Sequence, residues 1–311
     1  MEQYDCFTID ISIQNSKPFI EANKIKIFSL PRSRWYSMGR PKVMQADPFL
    51  FVNNGTLYLF YEEMCLGFGH GVIKMVSTKD LKTFTFPKLI LSNPNCHFSY
   101  PYVFEENGEI YMMPETGCDH NIRLYKSQNG DLSNFQLHKV ILERDNKDWN
   151  EIKFDYADSC IYKKDSLYYL FTSYCDAKQY HLELYVSDKL DSGYKKHPMS
   201  PICSGNKYGR CGGSLIEVDG KLYRPAQDCV NQYGGQMHIL EILELSPTAY
   251  IEHPVKDNVL PQQLTLYKEG GHQINFADFL GHIVIATDVK YHCSFFLERL
   301  KLMIQRFFHL V

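Results

Sequence analysis

Five stretches of fourteen residues in this chain follow one pattern, and a repeat of that kind constrains the architecture before any single residue is weighed. Asp47 to Phe60 reads DPFLFVNNGTLYLF, Tyr100 to Met113 YPYVFEENGEIYMM, Asp158 to Phe171 DSCIYKKDSLYYLF and Gly212 to Pro225 GGSLIEVDGKLYRP. Gln273 to Ala286, QINFADFLGHIVIA, is the weakest match. The starts are separated by 53, 58, 54 and 61 residues. Apolar residues alternate on both arms, the period of a strand with one buried face. The middles hold Asn54-Gly55, Asn107-Gly108, Asp165-Ser166, Asp219-Gly220 and Leu280-Gly281. Asn-Gly and Asp-Gly accept the positive φ angles of a tight hairpin turn.

A third apolar run follows in four units (GVIKMVS, IRLYKS, LELYVS and MHILEIL), and then a short turn and an outer strand. Four strands make one propeller blade. The pattern therefore predicts an all-β fold, a five-bladed β-propeller over residues 1–290. A β-sandwich gives no reason for the turn, the third strand and, in four units, a Tyr three residues past the turn to recur together. Residues 1–40 are then expected to supply closing outer strands, with Lys24 to Leu30 the candidate. Pairing the two ends of the chain would remove the open sheet edge.

Composition narrows the classes further. The formal net charge is -3, so no global basic field holds nucleic acid by counterion release. None of the ten cysteines forms a Cys-x-x-Cys pair, which argues against a zinc or thioredoxin-like site. MEQYDCFTIDISIQNSKPF has no apolar run of signal-peptide length, so the cysteines are expected to be reduced thiols in a cytoplasm. No apolar run is long enough for a spanning helix.

In a propeller the inner strands line a central channel, so equivalent repeat positions converge at one end. The first position holds Asp47, Tyr100, Asp158, Gly212 and Gln273. The second, past the turn, holds Glu62, Glu115, Ser173, Gln227 and Asp288. Carboxylates recurring at such positions are costly to bury without partners, which favours a polar cleft over packing. Asp before Pro as a turn residue, or Glu paired with Arg, remains the structural alternative. Asp47, Glu115 and Asp158 are the candidate catalytic carboxylates. Glu62, Tyr100, Arg210, Gln227, His272 and Asn275 are the candidate substrate-binding residues. His97 lies beside the second inner strand. Glycines 205, 209, 212 and 213 around Arg210 would let backbone approach a ligand. That run is no phosphate-binding loop of the Walker kind. Arg224 and Asp228 are expected to form a structural ion pair. A divalent metal near His272 and the carboxylates is allowed, although no ligand spacing demands one, and the sequence leaves cofactors open.

Several segments resemble a known group. ADPFLF at 46–51, SYPYVFEENGEIYMMPET at 99–116, GKLYRPAQD at 220–228 and GGHQINF at 270–276 resemble the N-terminal domain of glucosamine inositolphosphorylceramide transferase and its free-standing bacterial relatives. The likeness covers about residues 40–290. More distantly the repeat is similar to glycoside hydrolase family 43 and other furanosidase-like propellers. The resemblance implies a carbohydrate-active setting. In the plant transferase a separate C-terminal domain is the catalytic unit, for which this chain is expected to have no room. The hydrolases carry an Asp base in an Asp-Pro context on blade one, which Asp47 matches, and a pKa-tuning Asp on blade three, near Asp158. Their acid is a Glu opening the fourth inner strand. Here that place reads Arg210-Cys211-Gly212-Gly213, so hydrolysis would fall to Glu115 or Glu62 in a displaced geometry.

YHCSFFLERLKLMIQRFFHLV, residues 291–311, places Phe296, Leu300, Met303, Phe307 and Leu310 at helical steps, flanked by Arg299, Lys301 and Arg306. This predicts a C-terminal amphipathic helix, either packed on the propeller or a partner or lying on a membrane surface. The leading expectation is a glycosyltransferase-like protein in cell-surface glycan or glycolipid synthesis, cytoplasmic or at the inner face of the membrane. Its partners would be a sugar or glycan, a nucleotide sugar and a lipid-linked acceptor. Asp47 would activate an acceptor hydroxyl and Arg210 would face donor phosphate. A furanosidase-like glycoside hydrolase and a non-catalytic glycan-binding propeller are the alternatives.

Overall fold

A computed structural model describes residues 3–18, 24–30, 43–65, 70–116, 119–145, 152–257, 259–260, 270–294 and 300. Their strands are numbered in chain order. β1 (Gln3–Gln14) and β2 (Ile25–Ser29) precede the first repeat. Blade one is β3 (Val43–Asn53), β4 (Thr56–Cys65), β5 (Val72–Thr78) and β6 (Lys88–Leu91). Blade two is β7 (Ser99–Glu106), β8 (Glu109–Glu115), β9 (Asn121–Gln128) and β10 (Asp131–Glu143). Blade three is β11 (Phe154–Lys164), β12 (Leu167–Cys175), β13 (Tyr180–Ser187) and β14 (Lys195–Lys196), with β15 (Cys203–Ser204) also pairing β13. Blade four is β16 (Ile216–Val218), β17 (Lys221–Asp228), β18 (Gln236–Leu245) and β19 (Tyr250–Lys256). β20 (Ile274–Phe279) and β21 (His282–Ser294) start blade five, and β1 and β2 complete it.

The predicted five-bladed all-β propeller is thus the observed fold. β1 pairs β21 antiparallel from Gln3↔Ser294 to Gln14↔Ile283 without a register break, and β2 covers the outer edge of β1. Both central residues of all five hairpin turns have positive φ, from Asn54 and Gly55 (47° and 68°) to Leu280 and Gly281 (50° and 75°). That geometry matches the twist of the flanking strands. The apolar alternation buries five clusters, one between each pair of neighbouring blades. Phe49 and Phe60 meet Met112 and Phe135 between blades one and two. Ile9 and Val284 meet Leu57 and Leu59 where blade five meets blade one.

Three expectations need correction. β21 continues to Ser294, because its residues 291–294 pair with β1, so the predicted helix cannot begin at 291. Of residues 295–311 only Leu300 is among those described. Cys6 is disulfide-bonded, against the expectation of ten reduced thiols. The glycines at 212 and 213 serve the ring rather than a ligand. Ile274 N donates to Gly212 O at 2.9 Å, and a Cβ on Gly213 would stand 2.2 Å from Ile274 O. Only glycine lets the inner strand of blade five come that close.

Candidate functional site

The side chains of the first repeat position owe their aim to a repeated backbone irregularity. The β3–β4, β7–β8 and β11–β12 ladders each break register just where Asp47, Tyr100 and Asp158 sit. These three non-glycine residues have φ of 53°, 45° and 51°. A bulge with its residue in the left-handed region costs on the order of 1–3 kcal/mol, and it persists only where surrounding contacts hold it. Those contacts run between blades. Tyr100 N donates to Asp47 Oδ2 at 3.1 Å, Asp158 N to Glu115 Oε2 at 3.1 Å, and Asp47 N lies 3.5 Å from Asp288 Oδ2. On blade four Cys211 N donates to Ser173 Oγ at 3.3 Å. Three residues of the second repeat position thus accept a backbone N–H from the next blade. Part of the carboxylate pattern is therefore ring stitching.

Above these bulges lies a cavity of about 900 Å³. Asp47, Glu62, Glu115, Arg210 and His272 line it, together with His97, Ser99, His120, Asp155, Tyr180 and Tyr233, and the apolar Phe7, Met44 and Met64. Asp158 and Gln227 sit beneath the lining. Gln227 Nε2 donates to Asp158 Oδ2 at 2.7 Å, and Arg210 Nε donates to the same oxygen. Tyr100 and Asn275 do not line the cavity. Tyr100 is fully buried, with its hydroxyl accepting from Gly213 N at 3.1 Å and its ring edge-on to Phe49. Asn275 Oδ1 accepts from Leu50 N at 3.0 Å, and its Nδ2 donates to Ser214 Oγ at 2.9 Å. Both tie blades together. Arg224 does not pair with Asp228. It makes two hydrogen bonds to Glu252, at 2.8 and 2.7 Å, and Asp228 takes His238 Nε2 at 2.9 Å.

The electrostatics set each group's proton affinity. Burial raises Glu115 to about 7, and the Asp158 charge adds to it, while Arg210 at 3.9 Å and His97 pull back. Burial also lifts Asp47 well above the usual carboxylate range. His272 opposes this, and Glu62, Asp158 and Asp288 reinforce it. His272 is pushed up to about 9, because Asp288 at Nδ1 and Asp47 at 3.5 Å from Nε2 outweigh its burial. Its ring stacks on Phe7 at 4.3 Å. Arg210 lies between the rings of Tyr180 and Tyr233, 5.3 and 5.2 Å from their centres. Gly71 N donates to His97 Nδ1 at 2.9 Å, an arrangement that neutral imidazole permits, and Nε2 then faces Glu62 Oε1 at 3.2 Å. Asp47, His272 and Asp288 bring three ligand atoms within 4.8 Å of one another. A small cation could use them only if His272 gave up the proton that the two carboxylates favour.

Several lining residues were outside the sequence expectation. His120, Tyr180 and Tyr233 stand on or beside connections that follow the second repeat position, which mark the same end of the ring. Asp155 opens β11, three residues before Asp158, and accepts from Arg144 Nε at 2.8 and 2.9 Å. Phe7 comes from β1, outside the repeat, and carried no signal.

Comparison with known proteins places this chain in a family. The family described as "Glucosamine inositolphosphorylceramide transferase 1, N-terminal" matches residues 18–273. Glucosamine inositolphosphorylceramide transferase 1 of Arabidopsis thaliana is 34% identical over 220 residues, covering 69% of this chain and 27% of that protein. Its counterpart from Oryza sativa subsp. japonica is 32% identical over 248 residues, covering 78% and 31%. The chain thus spans less than a third of the curated relatives it matches. Among solved structures, an α-L-arabinofuranosidase from Podospora anserina is similar with a TM-score of 0.56 at 10% identity, covering 85% of this chain and 95% of that one. Another from Clostridium thermocellum gives 0.55 at 16% identity, covering 77% and 80%. At these identities the likeness is one of fold. The match over residues 18–273 is of another order, and by it the chain belongs to the family of the glucosamine inositolphosphorylceramide transferase 1 N-terminal domain.

Proposed function

We propose that the axial pocket binds a sugar and that the protein takes part in glycosyl transfer during synthesis of a cell-surface glycan or glycolipid. The pocket carries this reading. Carboxylates and imidazoles from blades one, two, three and five converge on a cavity large enough for a sugar, beside the rings of Tyr180 and Tyr233. Sugars offer hydroxyls to the first set and apolar ring faces to the second. The family's plant relatives are named glucosamine inositolphosphorylceramide transferase 1, which supports a glycosyl-transfer setting for the matched N-terminal domain. In this reading Asp47 takes the proton of an acceptor hydroxyl as that oxygen attacks the sugar's anomeric carbon. Arg210 holds Asp158 and reaches toward Glu115, so it organises the carboxylates rather than waiting free for a phosphate.

Hydrolysis is the second reading, favoured by Glu115. A carboxyl raised to about 7 keeps a proton near neutrality and can deliver it to a leaving oxygen, with Asp47 activating water. The basic, Phe-rich stretch after Ser294 would favour an anionic membrane surface, in keeping with a lipid-linked acceptor at a cytoplasmic face.

Incubation of the protein with a panel of nucleotide sugars and glycolipid acceptors, read by mass spectrometry, tests transfer. Asp47→Asn is expected to cut turnover by about 10²-fold or more. Turnover unchanged in that variant would remove Asp47 from the chemistry. Release of aryl alcohol from aryl glycosides, lost in Glu115→Gln, would replace transfer by hydrolysis. Saturable sugar binding with no turnover would leave a binding module.

A further inference from the structure

We infer that blade three carries a second catalytic site outside the axial pocket, in which Ser204, His181 and Asp176 hydrolyse esters of short acyl groups such as acetyl. This site stands apart from the sugar reading, and neither depends on the other. Asp176 follows β12 and shapes the turn into β13. Its Oδ1 accepts from Lys178 N at 2.7 Å and Gln179 N at 2.8 Å. Those two N–H groups and the imidazole of His181 hold its carboxyl down to about 2. Asp176 is therefore an acceptor only, and its Oδ2 lies 3.1 Å from His181 Nε2. In the neutral imidazole Nε2 must then carry the hydrogen, which leaves Nδ1 as a bare acceptor. Ser204 Oγ stands 2.8 Å from that Nδ1 and donates to it.

The frame around the three groups is fixed. β15 pairs β13 with Ser204 opposite His181. The imidazole stacks on Tyr174 at 4.7 Å, and the guanidinium of Arg144 lies 5.2 Å from the same ring. Joining β15 to β13 needs only the Ser204–His181 bond. The locked carboxylate behind the imidazole adds what a general base requires, a set tautomer and a partner for the imidazolium. The nucleophile is accessible, because Ser204 is exposed and a Cβ on Gly205 would meet nothing within 4 Å. Such an open face admits an alcohol of any size but grips no long acyl chain. In the reaction Ser204 Oγ bonds to the ester carbonyl carbon and gives its proton to His181 Nδ1. The bond from that carbon to the alcohol oxygen breaks, and the alcohol leaves with the proton. Water then cleaves the acyl-serine by the same route, yielding the acid and restoring the Ser204 hydroxyl. Gly205 N is already bonded to Tyr180 O at 2.9 Å, so the oxyanion falls to the side-chain amide of Asn206, whose Oδ1 accepts from Tyr180 N at 3.3 Å.

Labelling of the full chain with a fluorophosphonate probe, mapped by peptide mass spectrometry, tests this without any variant. An adduct at Ser204 and not at other exposed serines is expected. No adduct there, or an even spread over surface serines, overturns the inference. Asp176→Asn keeps an oxygen for the turn N–H groups, but its amide would face Nε2 and turn the imidazole to the other tautomer. It is expected to melt as the wild type does while slowing both labelling and 4-nitrophenyl acetate turnover by about 10²-fold or more. Labelling at the wild-type rate in both Asp176→Asn and His181→Asn overturns the triad. A burst of 4-nitrophenol with no turnover after it overturns hydrolysis.

Discussion

Glu115 holds its proton more tightly in the folded protein than in the unfolded chain, so folding and protonation are linked. Its proton affinity rises from 4.5 to about 7 on folding, and that of His272 from 6.5 to about 9. Stability from Glu115 is full below 4.5 and is lost as pH rises through about 7. That from His272 is full below 6.5 and is lost through about 9. Both slopes run the same way, so the melting temperature is expected to fall between about pH 5 and 9. Glu115→Gln keeps an oxygen for Asp158 N–H and carries no charge. It is expected to flatten the lower part of that fall and to stabilise the protein at pH 8 by up to about 3 kcal/mol. Thermal melts across pH check both, and an unchanged profile in the variant would show that Glu115 is not the titrating group. The first-position residues were legible because one spacing repeats through the chain. That Asp47 and Glu115 share a pocket followed from the same register. That Tyr100 turns its hydroxyl to Gly213 instead of the cavity did not follow, because a repeat position fixes which end of the ring a residue reaches but not its rotamer.

Strands are held to strands by polar pairs that alternation does not encode. Arg224 on β17 is fully buried and reaches across β18 to Glu252 on β19, with Tyr208 O accepting from Nη2 at 3.1 Å. Removing one partner of such a pair strands a buried charge, so Arg224→Ala is expected to cost about 3–5 kcal/mol. Arg224→Met together with Glu252→Gln, which removes both charges, should cost far less. Denaturant melts of the two proteins decide it, and equal losses would mean that packing, not charge, sets the penalty. Neighbouring Asp228, in the same Arg224–Asp228 segment, was the partner expected from sequence. On a strand, however, those two residues point to one face more than 13 Å apart at about 3.3 Å per residue. The hairpins themselves were legible from alternation and turn chemistry. The three bulges were not, because nothing in Asp47, Tyr100 or Asp158 announces a positive φ.

The ring depends on one long-range seam. β1 supplies the partner of β21 along its whole length, and blade five has no third strand without it. Deleting residues 1–14 is expected to leave β21 with a bare edge and the protein aggregated or largely unfolded by size-exclusion chromatography and circular dichroism. A monomeric, cooperatively melting deletion protein would show that the seam is dispensable. The seam was legible from the need to close a repeat. Its extent was not, because β1 carries no copy of the repeat. The same closure sets an order of events on the ribosome. His272 and Asp288, which partner Asp47, belong to the last blade made, and β1 must wait for β21 before the ring can close. Nascent chains that stop short of blade five therefore carry four blades and a pocket without its His272 wall.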